Sequence, residues 1–257
     1  MHPASLLKRL FLFCALLASL SFREAHAVPP LVSDDVPPAE KGAIQWYLAT
    51  LYLSGQGSIE RDLLTTAMSI GITDRQEISW GIPLVSTGGE HGLGDLFVGT
   101  KFLLFKETEG RPAASVSFNV STPTGDASRG LGDGGWEYDF RFQTQKKWGW
   151  FTLIGNVGYS LLNDPQRNAW FASTAQEYEL NETTRLLSEV YFQTSTEPIL
   201  SNIVAGDIGI VHNFTEKFNV HAAVGTSLRE DRRSGTNLRV YVGFEWDFDA
   251  PWKKSAG

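Results

Sequence analysis

Residues 112–162 read PAASVSFNVSTPTGDASRGLGDGGWEYDFRFQTQKKWGWFTLIGNVGYSLL, three segments of about ten residues split by one long Gly/Asp loop and one tight turn. Successive strand residues point to opposite faces, so Trp136, Tyr138, Phe140 and Phe142 share one face and Glu137, Asp139, Arg141 and Gln143 the other. The third segment divides in the same way, with Phe151, Leu153, Val157, Tyr159 and Leu161 set against Thr152, Asn156 and Ser160. Bulky aromatics beside Gly and Ser, with carboxylates opposite, fit a closed barrel that is apolar outside and polar within. The fold class expected is therefore all-β, an antiparallel transmembrane barrel.

Working outward, the pattern extends to twelve strands in six hairpins: 43–54, 62–72, 76–84, 93–105, 112–122, 135–146, 150–162, 169–180, 185–195, 202–213, 217–228 and 236–248. One set of connections is short: 73–75, 106–111, 147–149, 181–184 and 214–216. The other set is mostly longer and rich in Gly, Pro, Asn and Asp: 55–61, 85–92, 123–134, 163–168, 196–201 and 229–235. Short turns at one end and long loops at the other match outer-membrane barrels, whose turns are periplasmic. Trp136, Tyr159 and Trp170 would mark the outer rim, and Trp148, Tyr178, Trp246 and Phe248 the inner one. Parity is imperfect in strands one and two, where Trp46, Tyr47, Leu51, Leu53, Leu63 and Leu64 put apolar groups on both faces, and at Ile154, which points inward.

The N-terminus has the features of an export signal. Lys8 and Arg9 precede an apolar run from Leu10 to Leu20, and Ala25-His26-Ala27 supplies a cleavage site, so residues 1–27 are expected to be removed. The only cysteine, Cys14, leaves with them, which excludes a disulfide framework and thiolate chemistry in the mature chain. Loss of Lys8, Arg9, Arg23 and Glu24 takes 22 basic and 29 acidic residues to 19 and 28, a net charge of −9 that disfavours nucleic acid as a partner. Residues 28–41 hold four prolines with Asp34 and Asp35 and are expected to form a flexible arm, with insertion as a plug the alternative. The barrel then covers 42–248, and 249–257 is a C-terminal tail.

Isolated motifs carry little chemistry. Gly125 to Gly135 lacks the Gly-Lys-Ser/Thr of a phosphate loop, and Asp126 and Asp133 lack calcium-loop spacing. His91, His212 and His221 form no zinc pattern, and neither His91 near Ser86 nor His221 near Ser227 makes a persuasive hydrolytic pair. No catalytic residue, metal or cofactor is expected.

Several motifs in order resemble one family, the outer-membrane barrels labelled "MetA-pathway of phenol degradation", also described as transporters. The residues that carry the resemblance are Gly71-Ile72-Thr73-Asp74-Arg75 with Gly81-Ile82-Pro83, Gly92-Leu93-Gly94-Asp95-Leu96, Pro123-Thr124-Gly125-Asp126 with Arg129-Gly130-Leu131-Gly132, Asn156-Val157-Gly158-Tyr159, and Gly243-Phe244-Glu245-Trp246. The resemblance implies a barrel in a Gram-negative-type outer membrane and passage of small molecules, aromatic compounds among them. Its partners would be outer-membrane lipid, lipopolysaccharide, the assembly machinery and a small-molecule permeant. The Gly243-x-x-Trp246-x-Phe248 ending resembles the strand signal read by that machinery, although Asp249 to Gly257 follow it.

Function should then sit on the inward face. Parity places Asp95, Glu137, Asp139, Glu177, Glu179, Glu189, Asp207, Glu245 and Asp247 there, against Lys101, Arg141, Arg185 and Arg239. Nine acids against four bases predict a wall that disfavours anions and suits neutral phenolics or cations. The expected function is passive passage through a narrow lumen rather than a plugged one. The competing readings are a lipid-modifying enzyme using His91 or His221, and a structural or adhesive barrel acting through its long loops.

Overall fold

The computed structural model describes residues 30–55, 61–164, 168–194, 202–229 and 236–252. The expected signal peptide, most of the 55–61, 196–201 and 229–235 loops, residues 165–167 and the end of the C-terminal tail lie outside the described residues. Among the described residues thirteen strands form: β1 (Ala43–Gly55), β2 (Arg61–Thr73), β3 (Gln76–Thr87), β4 (Glu90–Leu93), β5 (Phe97–Phe105), β6 (Ala113–Ser121), β7 (Glu137–Trp148), β8 (Phe151–Leu161), β9 (Ala169–Asn181), β10 (Thr184–Gln193), β11 (Ile203–Thr215), β12 (Phe218–Ser227) and β13 (Thr236–Asp249). All neighbours are antiparallel. β1 pairs with β13 on one side and β2 on the other, and β2 pairs with β3, so twelve strands close into a ring with β4 appended to β3.

Closure follows from the chain's surroundings. An open sheet edge in hydrocarbon would leave a row of backbone N–H and C=O groups without partners, and joining the first strand to the last removes that edge. No helix among the described residues is long and apolar enough to cross a membrane, so strands are the crossing elements. Register shifts fall near strand ends, at Ser54/Gly55, Gly71/Thr73, Leu103/Phe105, Thr184/Arg185 and Asn213/Thr215, where bulges bend a strand without breaking the ladder at mid-height.

Eleven of the twelve expected strands appear as expected, within a few residues at their edges. The region expected as a loop at 85–92 and a strand at 93–105 is organised differently. β3 continues to Thr87, turns back through Gly88 and Gly89 at φ values of 57° and 86°, and pairs with β4. Two consecutive positive-φ glycines make the mirror-image turn whose twist suits a hairpin, so the chain reverses at once and β4 takes the place beside β3 beyond the stretch paired with β5. β5 starts only at Phe97, after the Gly94 to Leu96 segment.

The outward face carries the expected aromatic belts. At the turn end Phe151 packs on Tyr178 at 5.3 Å and Phe218 on Trp246 at 5.0 Å; toward the loop end Tyr159 meets Trp170 at 4.6 Å. Between the belts Phe140, Phe142, Val157, Val190 and Ile208 are exposed, an apolar band of the kind that lipid covers.

The largest departure from expectation is inside. Residues 30–41 are not a flexible terminus: Leu31, Val36, Ala39, Ser33 and Asp35 are buried within the ring. The arm leaves β1 at the turn end, where Lys41 bridges Gly71, and climbs into the lumen. Its Leu31 joins Ile154, Ala175, Leu187 and Val211, and its Val32 packs on Phe171, Tyr191 and Ala205, so the arm shares an apolar core with the β8–β11 wall.

Candidate permeation pathway

The arm is held by side chains that strand alternation turns inward. The Glu189 carboxylate on β10 accepts from the Val32 N–H at 2.6 Å, the Ser33 N–H at 2.9 Å and the Ser33 hydroxyl at 2.6 Å. Lys101 on β5 reaches Asp34 and Asp35 at 3.0 Å each. Asn156 on β8 takes the Asp34 N–H at 3.0 Å and returns its own amide to the Asp34 carbonyl at 2.9 Å. Nearer the turn end, the Ala39 N–H donates to Glu77 at 2.5 Å. At the upper end Arg141 donates to the Val32 carbonyl at 3.2 Å and Arg239 to the Pro30 carbonyl at 2.9 Å. An extended arm has no ladder of its own, so these wall groups satisfy backbone that would otherwise be buried without partners.

In a second polar cluster, on β1, β12 and β13, the hydrogen bonds among the described residues run between wall side chains. Glu245 accepts from Gln45 at 2.9 Å, Tyr47 at 3.3 Å and Asn219 at 3.0 Å, and His221 lies 3.3 Å away. His221 also makes a close contact with Asn219. Tyr47, which looked anomalous as an inward apolar residue, faces in because its hydroxyl belongs to this network.

Most of the candidate wall residues are brought into one interior. Lys101, Glu177, Glu189, Asp207, Arg239 and Glu245 are buried and inward. Asp207 pairs with Arg239, and Glu177 with Arg185 at 3.4 Å. Asp139 and Arg141 pair at 2.9 Å, Ser160 donates to Asp139 at 2.8 Å, and the Arg141 guanidinium lies 4.7 Å over the Phe171 ring. Glu137 opens β7 at the loop end.

One inward assignment changes and another sits at the rim. Asp95 lies in the segment between β4 and β5, and its carboxylate accepts from Gly125 N–H and Asp133 N–H at 2.7 Å each. It anchors the 123–134 loop instead of standing on a strand. Glu179 lies at the turn end and pairs with Lys147 at 2.7 Å. Sequence parity also missed the apolar arc of Phe171, Leu187, Tyr191 and Val211. The inward Ile154 was its one visible sign.

The long 123–134 loop is ordered around Asp95. Its Leu131 is buried, and Arg129 pairs with Glu90 on β4 at 2.6 Å. Asp126 accepts from Ser128 N–H at 3.0 Å and Ser128 hydroxyl at 2.6 Å, which holds its carboxyl below the usual aspartate range. Among the described residues no His/Cys/Asp/Glu group is arranged to hold a metal ion.

A closed antiparallel ring with an apolar outer band and a charged interior defines the class of outer-membrane β-barrels. The model of the family described as "Putative MetA-pathway of phenol degradation" matches residues 48–244, and the chain belongs to that family. Its fold is similar to the crystal structure of the COG4313 outer membrane channel from Pseudomonas putida F1, at 15% identity and a TM-score of 0.67, covering 87% of this chain and 100% of that one. It is also similar to the KdgM porin in complex with disordered oligogalacturonate, at 10% identity and a TM-score of 0.58, over 80% of this chain and 99% of the other. The NanC porin aligns at 8% identity and a TM-score of 0.57, over 78% and 98%. No curated protein sequence matches this chain.

Proposed function

We propose that the protein is a passive channel of the outer membrane, admitting small molecules down a concentration gradient through a lumen that the N-terminal arm narrows. The observation that carries this reading is the interior itself. A closed twelve-strand wall is larger than the side-chain-filled eight-strand barrel, and here a separate segment occupies part of the bore, held by hydrogen bonds and ion pairs. Family membership and the shared fold of known channels support the same conclusion.

The arm sharpens the expected selectivity. It brings Asp34 and Asp35 into the lumen, and Glu77 joins them, whereas Asp95 and Glu179 belong to the rims. Acids still outnumber Lys101, Arg141, Arg185 and Arg239, so the wall disfavours anions. A wall that disfavours anions makes neutral phenolic compounds, rather than their carboxylated counterparts, the permeant class to test first. Lipopolysaccharide contact at the loop rim and reading of the Gly243-x-x-Trp246-x-Phe248 strand by the assembly machinery belong to the same proposal.

The enzymatic reading is weaker because His221 faces the lumen against Glu245 and Asn219, away from any lipid substrate, and His91 sits on β4 with its carbonyl bonded by Arg129. Liposome swelling tests the proposal. Neutral phenols should enter proteoliposomes faster than their carboxylated counterparts, and equal exclusion of both by folded protein would overturn it.

A further inference from the structure

The lipid-facing wall carries an open groove of about 430 Å³ across β7 to β11, inside the roughly 300–1,000 Å³ range of small-molecule clefts. Small residues Gly155, Ala172 and Thr174 leave a hollow beside the larger Phe142, Val157 and Phe192. Gly155 is the informative position. It pairs with Thr144 on one side and Thr174 on the other, midway along β8. Its φ is not positive, and a Cβ there would meet only the Thr144 methyl, at an ordinary 3.4 Å. Neither backbone geometry nor packing within the chain requires glycine. Glycine weakens a strand interior, and where no bend demands it, it marks a place that another molecule approaches closely.

The depth of the groove identifies that molecule. Gly155 lies within the apolar band between the aromatic belts, where the surrounding medium is hydrocarbon. One register step toward the turn end, Leu153 is flanked by Lys146 and Gln176, and the Ser188 hydroxyl donates to Gln176 at 2.9 Å. The Gln176 amide and the Ser188 hydroxyl thus lie next to the groove on the turn side, followed by Trp148, Phe151 and Tyr178. Toward the loop end the next outward neighbours are Phe140, Tyr159 and Trp170. We propose that the groove is a binding site for one phospholipid of the turn-side leaflet, with an acyl chain lying over Gly155 and the ester region near Gln176 and Ser188. The site is separate from the lumen, because β7, β8 and β9 stay paired throughout it.

The test is native mass spectrometry of the mature barrel after stepwise detergent delipidation in the presence of phosphatidylethanolamine. The wild type should retain one phospholipid per barrel. Gly155→Leu should lose it, and Val224→Leu, a lipid-facing change elsewhere, should not. Heat-modifiable electrophoretic mobility checks folding, and Thr174→Leu serves as a second filling variant. Equal retention in wild type and the filled variants, retention of lipopolysaccharide in place of phospholipid, or a dimer that Gly155→Leu abolishes would each overturn the proposal.

Discussion

Two arcs of the same lumen solve the problem of buried polarity differently. On β1, β12 and β13, Gln45, Tyr47, Asn219, His221 and Glu245 contact one another across neighbouring strands. On β5 to β11, Lys101, Asn156 and Glu189 find their partners in the arm, and Ile154, Leu187 and Val211 are covered by Leu31. The bonds of the first arc run between wall side chains, although the buried His221 Nδ1 has no partner among the described residues, and those of the second run to residues 30–41. The wall is thus divided into a part built from strands alone and a part whose polarity and bore are set together with the arm.

The sharpest way to break that contrast is Lys101→Met. It strips the cation from buried Asp35 and from Asp34, and breaking a buried pair by deleting one partner costs about 3–5 kcal/mol. We expect the arm to leave its seat and become cleavable by protease added on the turn side, while the strands remain protected. Continued protection of residues 30–41 would show that the ion pairs do not hold it.

Glu245→Gln acts on the other arc. The carboxylate accepts from three neighbours, and a carboxamide would turn donors toward donors, for a loss of roughly 1–3 kcal/mol. Denaturant midpoints should fall, yet arm protection should match the wild type. Glu189→Gln is milder than Lys101→Met because an acceptor oxygen remains for Val32 and Ser33 N–H. Amide exchange at those two residues should accelerate, without release of the whole arm.

The smallest effect concerns the 123–134 loop, which belongs to neither arc. Asp126 titrates below the usual aspartate value because Ser128 donates to its charged form. A depressed carboxyl contributes order that is fully present above the unfolded value near ~3.9 and fades as pH falls through the folded value. Ser128 amide exchange, corrected for the intrinsic rate, should be flat from neutral pH down to that range and rise only below it. A rise already in the mildly acidic range would contradict the assignment.

The strands were legible because period-two alternation is local and a one-residue slip would turn every lipid-facing aromatic inward. Trp136 through Gln143 alone declare both faces. The arm was not legible, since Pro-rich extended chain has no periodicity and its partners are remote: Lys101 lies 66 residues from Asp35 and Glu189 156 residues from Ser33. The β3–β4 hairpin was missed because Gly88-Gly89 was absorbed into a loop, and Asp95 was misplaced because parity was extended through a segment that is not strand. The inward apolar arc broke the alternation rule for a reason invisible in any one strand. Its cover is another part of the chain.

Single-channel recording in planar bilayers, comparing the mature protein with a variant lacking residues 30–39, tests the central claim most directly. The account predicts small, cation-preferring steps from the mature protein and larger steps from the shortened one, with cation preference kept by the Glu245 arc. Equal conductance from the two, with both demonstrably folded, or anion preference in the mature protein, would contradict it.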